Sequence, residues 1–238
     1  MISINFQWVQ KIPRSTVRKA VVVSLMCINL WLIYIAASWG LTDLLARQAH
    51  HDMRQWEKQG ITTETWKATH AMLTWAQHFE PSHPNLLESI GQAYYLLSSR
   101  YSPITAAEKF MARQQALDYY LKAAKQRPVS AYTWANIAIL KYQLKQYDAQ
   151  FLAALKYATF LGPWEPFVQH AVADVGLAAW FKFPEGGRKK GRAIVFAVLE
   201  RGLHGQVPQI SKLIKKHKRG FVVCTYPEQT PKIAEFCP

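Results

Sequence analysis

Residues 20–41, AVVVSLMCINLWLIYIAASWGL, carry no charge at any position. A run of about 20 apolar residues is long enough to cross a bilayer as a helix, and a helix satisfies its own backbone there. Asn29 is the one strongly polar side chain near its middle, and Trp31, Tyr34 and Trp39 lean toward the distal half, where interfacial aromatics collect. Ahead of the run stand Lys11, Arg14, Arg18 and Lys19 with no acid before Leu41; behind it come Asp43 and Arg47. Cations stay on the cytoplasmic side. The expected topology is a basic cytoplasmic segment at 1–19, a single span at 20–41, and everything from residue 42 outside. The alternative is a cleaved signal peptide, with Ala36-Ala37-Ser38 as the peptidase site. A signal core is usually ~7–15 residues and this one is longer, so an uncleaved anchor is the expectation.

The three cysteines fit that placement. Cys27 falls inside the span as a small apolar filler. Cys224 and Cys237 lie in the distal tail, VVCTYPEQTPKIAEFCP, and would face an oxidising space. A bridge between them would stabilise the tail by ~3 kcal/mol; the alternative is two separate thiols. There is no Cys-x-x-Cys, so neither a zinc knuckle nor a thioredoxin-like pair is expected.

Half of the 238 residues are hydrophobic and nine are tryptophan, which supplies a core and argues against disorder. Within 116–144, ALDYYLKAAKQRPVSAYTWANIAILKYQL, small and large residues alternate at helical spacing on either side of Pro128. Ala116, Tyr120, Ala123 and Ala124 share one face, then Trp134, Ile137, Ala138 and Leu140 share another. Pro128 stops the first helix, because it offers no amide donor. This resembles a tetratricopeptide repeat, a 34-residue helix pair. Leu87, Ile90, Gly91 and Tyr94 match a first helix; Ala116, Tyr120, Ala123 and Pro128 match its partner. Pro128 and Pro163 are 35 positions apart, close to that period. Trp66, Leu73, Ala76 and Pro81 match an earlier second helix, and Phe167, Ala171 and Asp174 begin a later unit. Pro81 to Pro128 spans 47 positions, a surplus expected as an enlarged connection around SSRYSPITAAEKFMAR. The alternative is an irregular helical bundle. In tetratricopeptide proteins, first-helix residues line the concave binding face, and the matching positions here include Asn85, Glu88, Gln92, Tyr95, Tyr132, Ile139 and Tyr142.

Charge is uneven. Residues 188–219 hold ten Lys or Arg against one acid, Glu200, while the repeat region is nearly neutral. Two helices are expected there: Arg192–Leu203, apolar enough to cap the stack, and Ile210–His217, basic and amphipathic. Lys212, Lys215, Lys216, Lys218 and Arg219 are candidate anion contacts for an anionic lipid or an acidic glycan; the alternative is a solvated face. Nucleic acid is not expected outside the cytoplasm.

No nucleotide loop, nucleophile elbow or metal-binding helix is present. Gly186-Gly187 precedes three cations but lacks a strand–loop–helix context. His50 and His51 point about 100° apart on a helix and are expected in the wet interface beyond the span. His78 and His83 flank a turn without further ligands. No catalytic, cofactor or metal residue is therefore assigned, and the chain is expected not to be an enzyme.

Taken together, the short basic N-terminus, the span, RPVSAYTWANIAILKYQLKQYD…LGPWEP and the tail GQVPQISKLIKKHKR…VC resemble the VpsP-type exopolysaccharide biosynthesis proteins of Gram-negative bacteria. The resemblance covers most of residues 15–238, and YTWANIAILK, LGPWEPFVQ and ISKLIKKH are its most specific pieces. It implies an accessory role in making or exporting a surface polysaccharide, with protein partners in that machinery. The expected architecture is all-α: a transmembrane helix, a periplasmic tetratricopeptide-like domain at 42–187, and a basic helical cap and tail at 188–238. The alternatives are an assembly factor for a pilus, secretion or cytochrome-maturation complex, or a glycan-modifying enzyme.

Overall fold

The computed structural model describes residues 14–99, 102–226 and 230–237. Of the basic segment expected at 1–19, residues 1–13 with Lys11 lie outside them, and Arg14, Arg18 and Lys19 belong to the first helix. Among the described residues every regular element is helical: α1 Arg14–Gln59, α2 Thr63–Phe79, α3 Pro84–Leu97, α4 Ala106–Gln126, α5 Ala131–Gln143, α6 Ala149–Leu161, α7 Pro166–Ala178, α8 Arg188–Gly205, α9 Val207–Lys216, α10 Gly220–Cys224 and α11 Pro231–Phe236, with a short 3₁₀ turn at Glu185–Gly187.

α1 is one unbroken helix of 46 residues, roughly 69 Å at 1.5 Å per residue. It is long and apolar enough to cross a membrane. Val21 through Trp39 expose apolar side chains, with nothing in the fold covering them. From residue 42 the pattern changes. Thr42, Ala49, Met53 and Trp56 are buried at helical spacing, so the same helix becomes one-faced and enters the domain. No proline interrupts residues 14–59 and Gly40 is the only glycine there, so nothing separates the apolar run from the first helix of the fold.

The remaining helices follow as antiparallel hairpins, because each boundary carries its own signal. Thr62 and Thr105 close capping boxes with Thr65 and Glu108, and Ser130 and Asp148 cap α5 and α6. Prolines open α3, α7, α9 and α11, where a missing amide donor costs nothing. Ala49, Met53, Trp56, Leu73, Ala76, Leu86 and Ile90 form one core, and residues from α4 through α11 form a second. The alanines expected at close helix approaches are all buried: Ala116, Ala123, Ala124 and Ala138. Gly91 serves the same end, since a Cβ there would lie 3.0 Å from the Tyr120 ring.

One expectation needs correction, and the structure places two further residues. The 47-residue spacing is not mainly an enlarged connection: AAEKFMAR is the first two turns of α4, started by the Thr105–Glu108 box, and only residues 98–105 link the helices. Trp134 is not sealed in the core. It lies partly exposed against Tyr157, with centroids 4.9 Å apart, and its Nε1 donates to the Pro128 carbonyl at 2.7 Å. Finally, Gly187 is a packing glycine, since a Cβ there would collide with Leu152.

The tail folds back onto the stack. Glu200 of α8 accepts from the Thr230 hydroxyl and from the backbone amides of Lys232 and Ile233, both at 3.2 Å, and so caps α11. Val223 and Ile233 are buried in the main core, and Cys224 and Cys237 are joined by a disulfide.

Candidate functional site

The hairpins place α1, α3, α5 and α7 around one concave side, where a groove of about 1130 Å³ opens. Trp39, Asp43, Arg47 and His50 of α1 form one wall. Asn85, Glu88, Ser89, Gln92 and Tyr95 of α3 form the floor, and Tyr132, Asn136 and Phe167 close the far side. Five of the seven residues expected on the binding face thus line it: Asn85, Glu88, Gln92, Tyr95 and Tyr132. Ile139 and Tyr142 do not. They sit further along α5, partly buried against the main core, with the Tyr142 ring 6.3 Å from Tyr147.

Two of the polar lining residues are held in place by neighbours. Glu88 accepts from Arg127 Nη2 at 2.9 Å and from the Thr133 hydroxyl, tying α3 to the α4–α5 turn. The Tyr132 hydroxyl donates to Glu165, and its ring stacks on Phe167 with planes 13° apart. These contacts fix two aromatic faces at the rim. Tyr120 lies beneath the floor, and burial pushes its hydroxyl well above the ordinary tyrosine range, with Glu88 adding to the effect.

His50 departs from the sequence expectation. It points into the groove, and its Nε2 lies 3.0 Å from the Ser89 hydroxyl. Ser89 donates its own proton to the Asn85 carbonyl at 2.8 Å, so the contact requires His50 to donate through Nε2–H. Ser89 is 1 % exposed, and its oxygen is held between helices rather than offered to a substrate. Burial, with Arg54 nearby, holds the His50 pKa below its usual value, and burial does the same for His70, which stacks on Trp66. Both imidazoles are therefore neutral near pH 7. His50 was hidden from sequence reasoning because residue 50 was assigned to water beyond a span ending at 41; continuity of the helix was the missed signal. His83 also lines the groove, while His51 and His78 are exposed.

The groove has the chemistry of a holding site. The amides of Asn85, Gln92 and Asn136 and the carboxylate of Glu80 offer donors and acceptors beside the Trp39, Tyr95 and Tyr132 rings. The Thr42 hydroxyl, in the same wall, is buried without a hydrogen-bond partner. An extended polar chain bearing flat or ring-shaped groups would satisfy such a lining.

The five candidate anion-binding residues are not equivalent. Lys216 Nζ and His217 Nε2 reach Asp174 Oδ1 at 2.8 and 2.6 Å, while Arg219 donates to the Leu177 carbonyl and lies 4.7 Å over the Phe181 ring. Lys216 and Arg219 therefore clamp α9 and its following turn to α7. Lys212, Lys215 and Lys218 project from that edge, exposed.

No family model matches the chain, and a search of curated proteins finds no relative.

Proposed function

We propose that the protein is a non-catalytic scaffold for the synthesis or export of an exopolysaccharide, anchored in the inner membrane by α1, with its helical domain in the periplasm. The groove is the observation that carries this reading. It brings residues from α3, α5 and α7 together as a tetratricopeptide-like concave face would, and it lies directly beside the helix that is apolar enough to span. The charge asymmetry about residues 20–41 supports a cytoplasmic N-terminus. The Cys224–Cys237 disulfide fits an oxidising compartment. Resemblance to VpsP-type proteins supplies the polysaccharide assignment. The exposed Lys212, Lys215 and Lys218 then serve an acidic partner or polymer.

The test is genetic and biochemical together. Deleting the gene should abolish or shorten the surface polymer, and Gln92→Arg or Asn136→Arg, which fill the groove with a charged chain, should reproduce the defect at normal protein levels. Normal polymer in the deletion, with a defective pilus, secretion system or cytochrome instead, would transfer the scaffold to that envelope assembly. Polymer of normal amount lacking a chemical modification would favour the glycan-modifying enzyme.

A further inference from the structure

The hairpins give the domain two unlike ends. The α2–α3, α4–α5, α6–α7 and α8–α9 turns lie at one end; the α1–α2, α3–α4, α5–α6 and α7–α8 turns lie at the other. Adjacency of the first set is direct. Glu88, one turn into α3, holds Arg127 at the α4–α5 turn. Gly162 in the α6–α7 turn abuts Ala131. Gln169 bridges the Pro163 carbonyl and the Gln206 amide.

The height of this end along α1 can be read from the side chains. Thr69 of α2 hydrogen-bonds Asp52 of α1 at 3.2 Å, so those two residues are level. The helices are antiparallel. Ten residues onward from Thr69 is Phe79, the last of α2, and ten residues back from Asp52 is Thr42, the first after the uncharged run. Trp39 shares the groove lining with Glu80 and His83 of the α2–α3 turn, which agrees with that level. The first of these turns therefore sits where the apolar part of α1 ends.

The same end is where large apolar side chains face outward with little charge around them. Trp75 is 53 % exposed, Val129 69 %, Phe160 76 % and Trp164 67 %. Phe79 packs edge-on against Trp75. Among the described residues, the charged groups of the α2–α3, α4–α5, α6–α7 and α8–α9 turns are Glu80, Arg127 and Glu165; Arg127 is paired with Glu88 and Glu165 is bonded to Tyr132. Lys125 on the last turn of α4 is of a type that can lie along an apolar layer and reach its polar face. The opposite end also exposes Phe181, Phe221 and, on the first turns of α4, Phe110 and Met111, but there Lys182, Arg188, Lys189, Lys190 and Arg192 crowd around the α7–α8 connection. Single exposed apolar residues are ordinary. Four of them sharing one end, close to the level where the apolar part of α1 stops, with more cations at the other end, need a matching surface.

We infer that this turn end is seated on the interfacial layer of the membrane crossed by α1, with Trp75, Phe79, Val129, Phe160 and Trp164 in contact with lipid. Tryptophan and phenylalanine suit that layer, where an apolar ring meets headgroups. The inference rests on α1 being the membrane anchor. It sets the groove, whose lining includes Trp39, Glu80 and His83, beside the bilayer surface and the cationic end away from it, so Lys215 and Lys218 face solutes rather than lipids of this membrane.

The experiment uses the full chain in lipid nanodiscs, with a nitroxide on one cysteine at a time. The native Cys27 is labelled as the reference for the anchor. Trp75→Cys, Phe160→Cys, Trp164→Cys and Lys190→Cys are each made in a Cys27→Ser background, and all four altered side chains are exposed, so folding should survive. Collision with oxygen relative to a water-soluble nickel complex reports depth. Labels at 75, 160 and 164 should show a ratio several-fold above that at 190, approaching that at 27. Ratios at all three equal to the value at 190, with Cys27 still deep in lipid, would overturn the seating and leave the anchor standing. A water-like ratio at Cys27 would overturn the anchor itself.

Discussion

At the scale of single residues, packing and protonation make opposite demands on substitution. Ala138 is 1 % exposed where helices meet, and Ala138→Leu should lower stability by about 1–3 kcal/mol through overpacking; an unchanged melting temperature would contradict the close approach. The alanine face was legible because small residues at helical spacing have one efficient use. The position of Trp134 was not, since spacing marks which face a residue occupies but not how deep it lies. His50 and His70 have pKa values lowered by burial. Their neutral forms are favoured by the fold, so the stability they contribute is present above the ordinary histidine value of about 6.5 and is lost as pH falls through their lower folded values. The melting temperature should therefore drop on acidification below that value, and less steeply in His50→Gln than in the native chain. Identical pH profiles would show that His50 is solvated.

At the scale of the element, capping and ion pairs decide where helices stop and how they dock. Asp148 caps α6 through the Phe151 amide at 2.9 Å and pairs with Lys141, a lysine only 2 % exposed, also at 2.9 Å. Asp148→Ala removes both contacts and should cost roughly 1–3 kcal/mol, visible in chemical denaturation; Lys141→Met in the same background should recover part of it. α9 depends on Asp174. Burial works to raise that carboxyl's pKa, but the hydrogen bonds and charges of Lys216 and His217 outweigh it and hold the group below the usual carboxylate range. The clamp is complete above the ordinary Asp value of about 3.9 and is lost as pH falls through the lower folded value. Charge reversal at Lys216 or Arg219 should therefore loosen the tail, whereas reversal at Lys212, Lys215 and Lys218 should spare the fold. Sequence could not separate these two groups, because their partners lie in α7, more than forty residues upstream. The start of α4 was legible in principle from Thr105 and Glu108, but proline spacing drew attention to the connection instead.

At the scale of the whole molecule, one helix carries two surface patterns, apolar and exposed up to Trp39 and one-faced from Thr42. The uncharged run announces a span, and prolines at repeat spacing announce stacked hairpins. Neither states that the apolar run continues into the first helix of the stack, which is what places the groove beside its end. Five expected groove residues converge there while Ile139 and Tyr142 do not, because these two follow the rhythm of α5 past Asn136 and pack against the main core. Under the proposed function this groove, beside the helix apolar enough to span, holds a component of the polysaccharide machinery. Its most direct test is a photoreactive amino acid at Gln92, irradiated in intact membranes, with the same residue at Lys190 for comparison. A discrete adduct is expected from position 92, identified by mass spectrometry as a polysaccharide synthesis or export component and lost in Asn136→Arg. No adduct from position 92, or the same products from both positions, would contradict it.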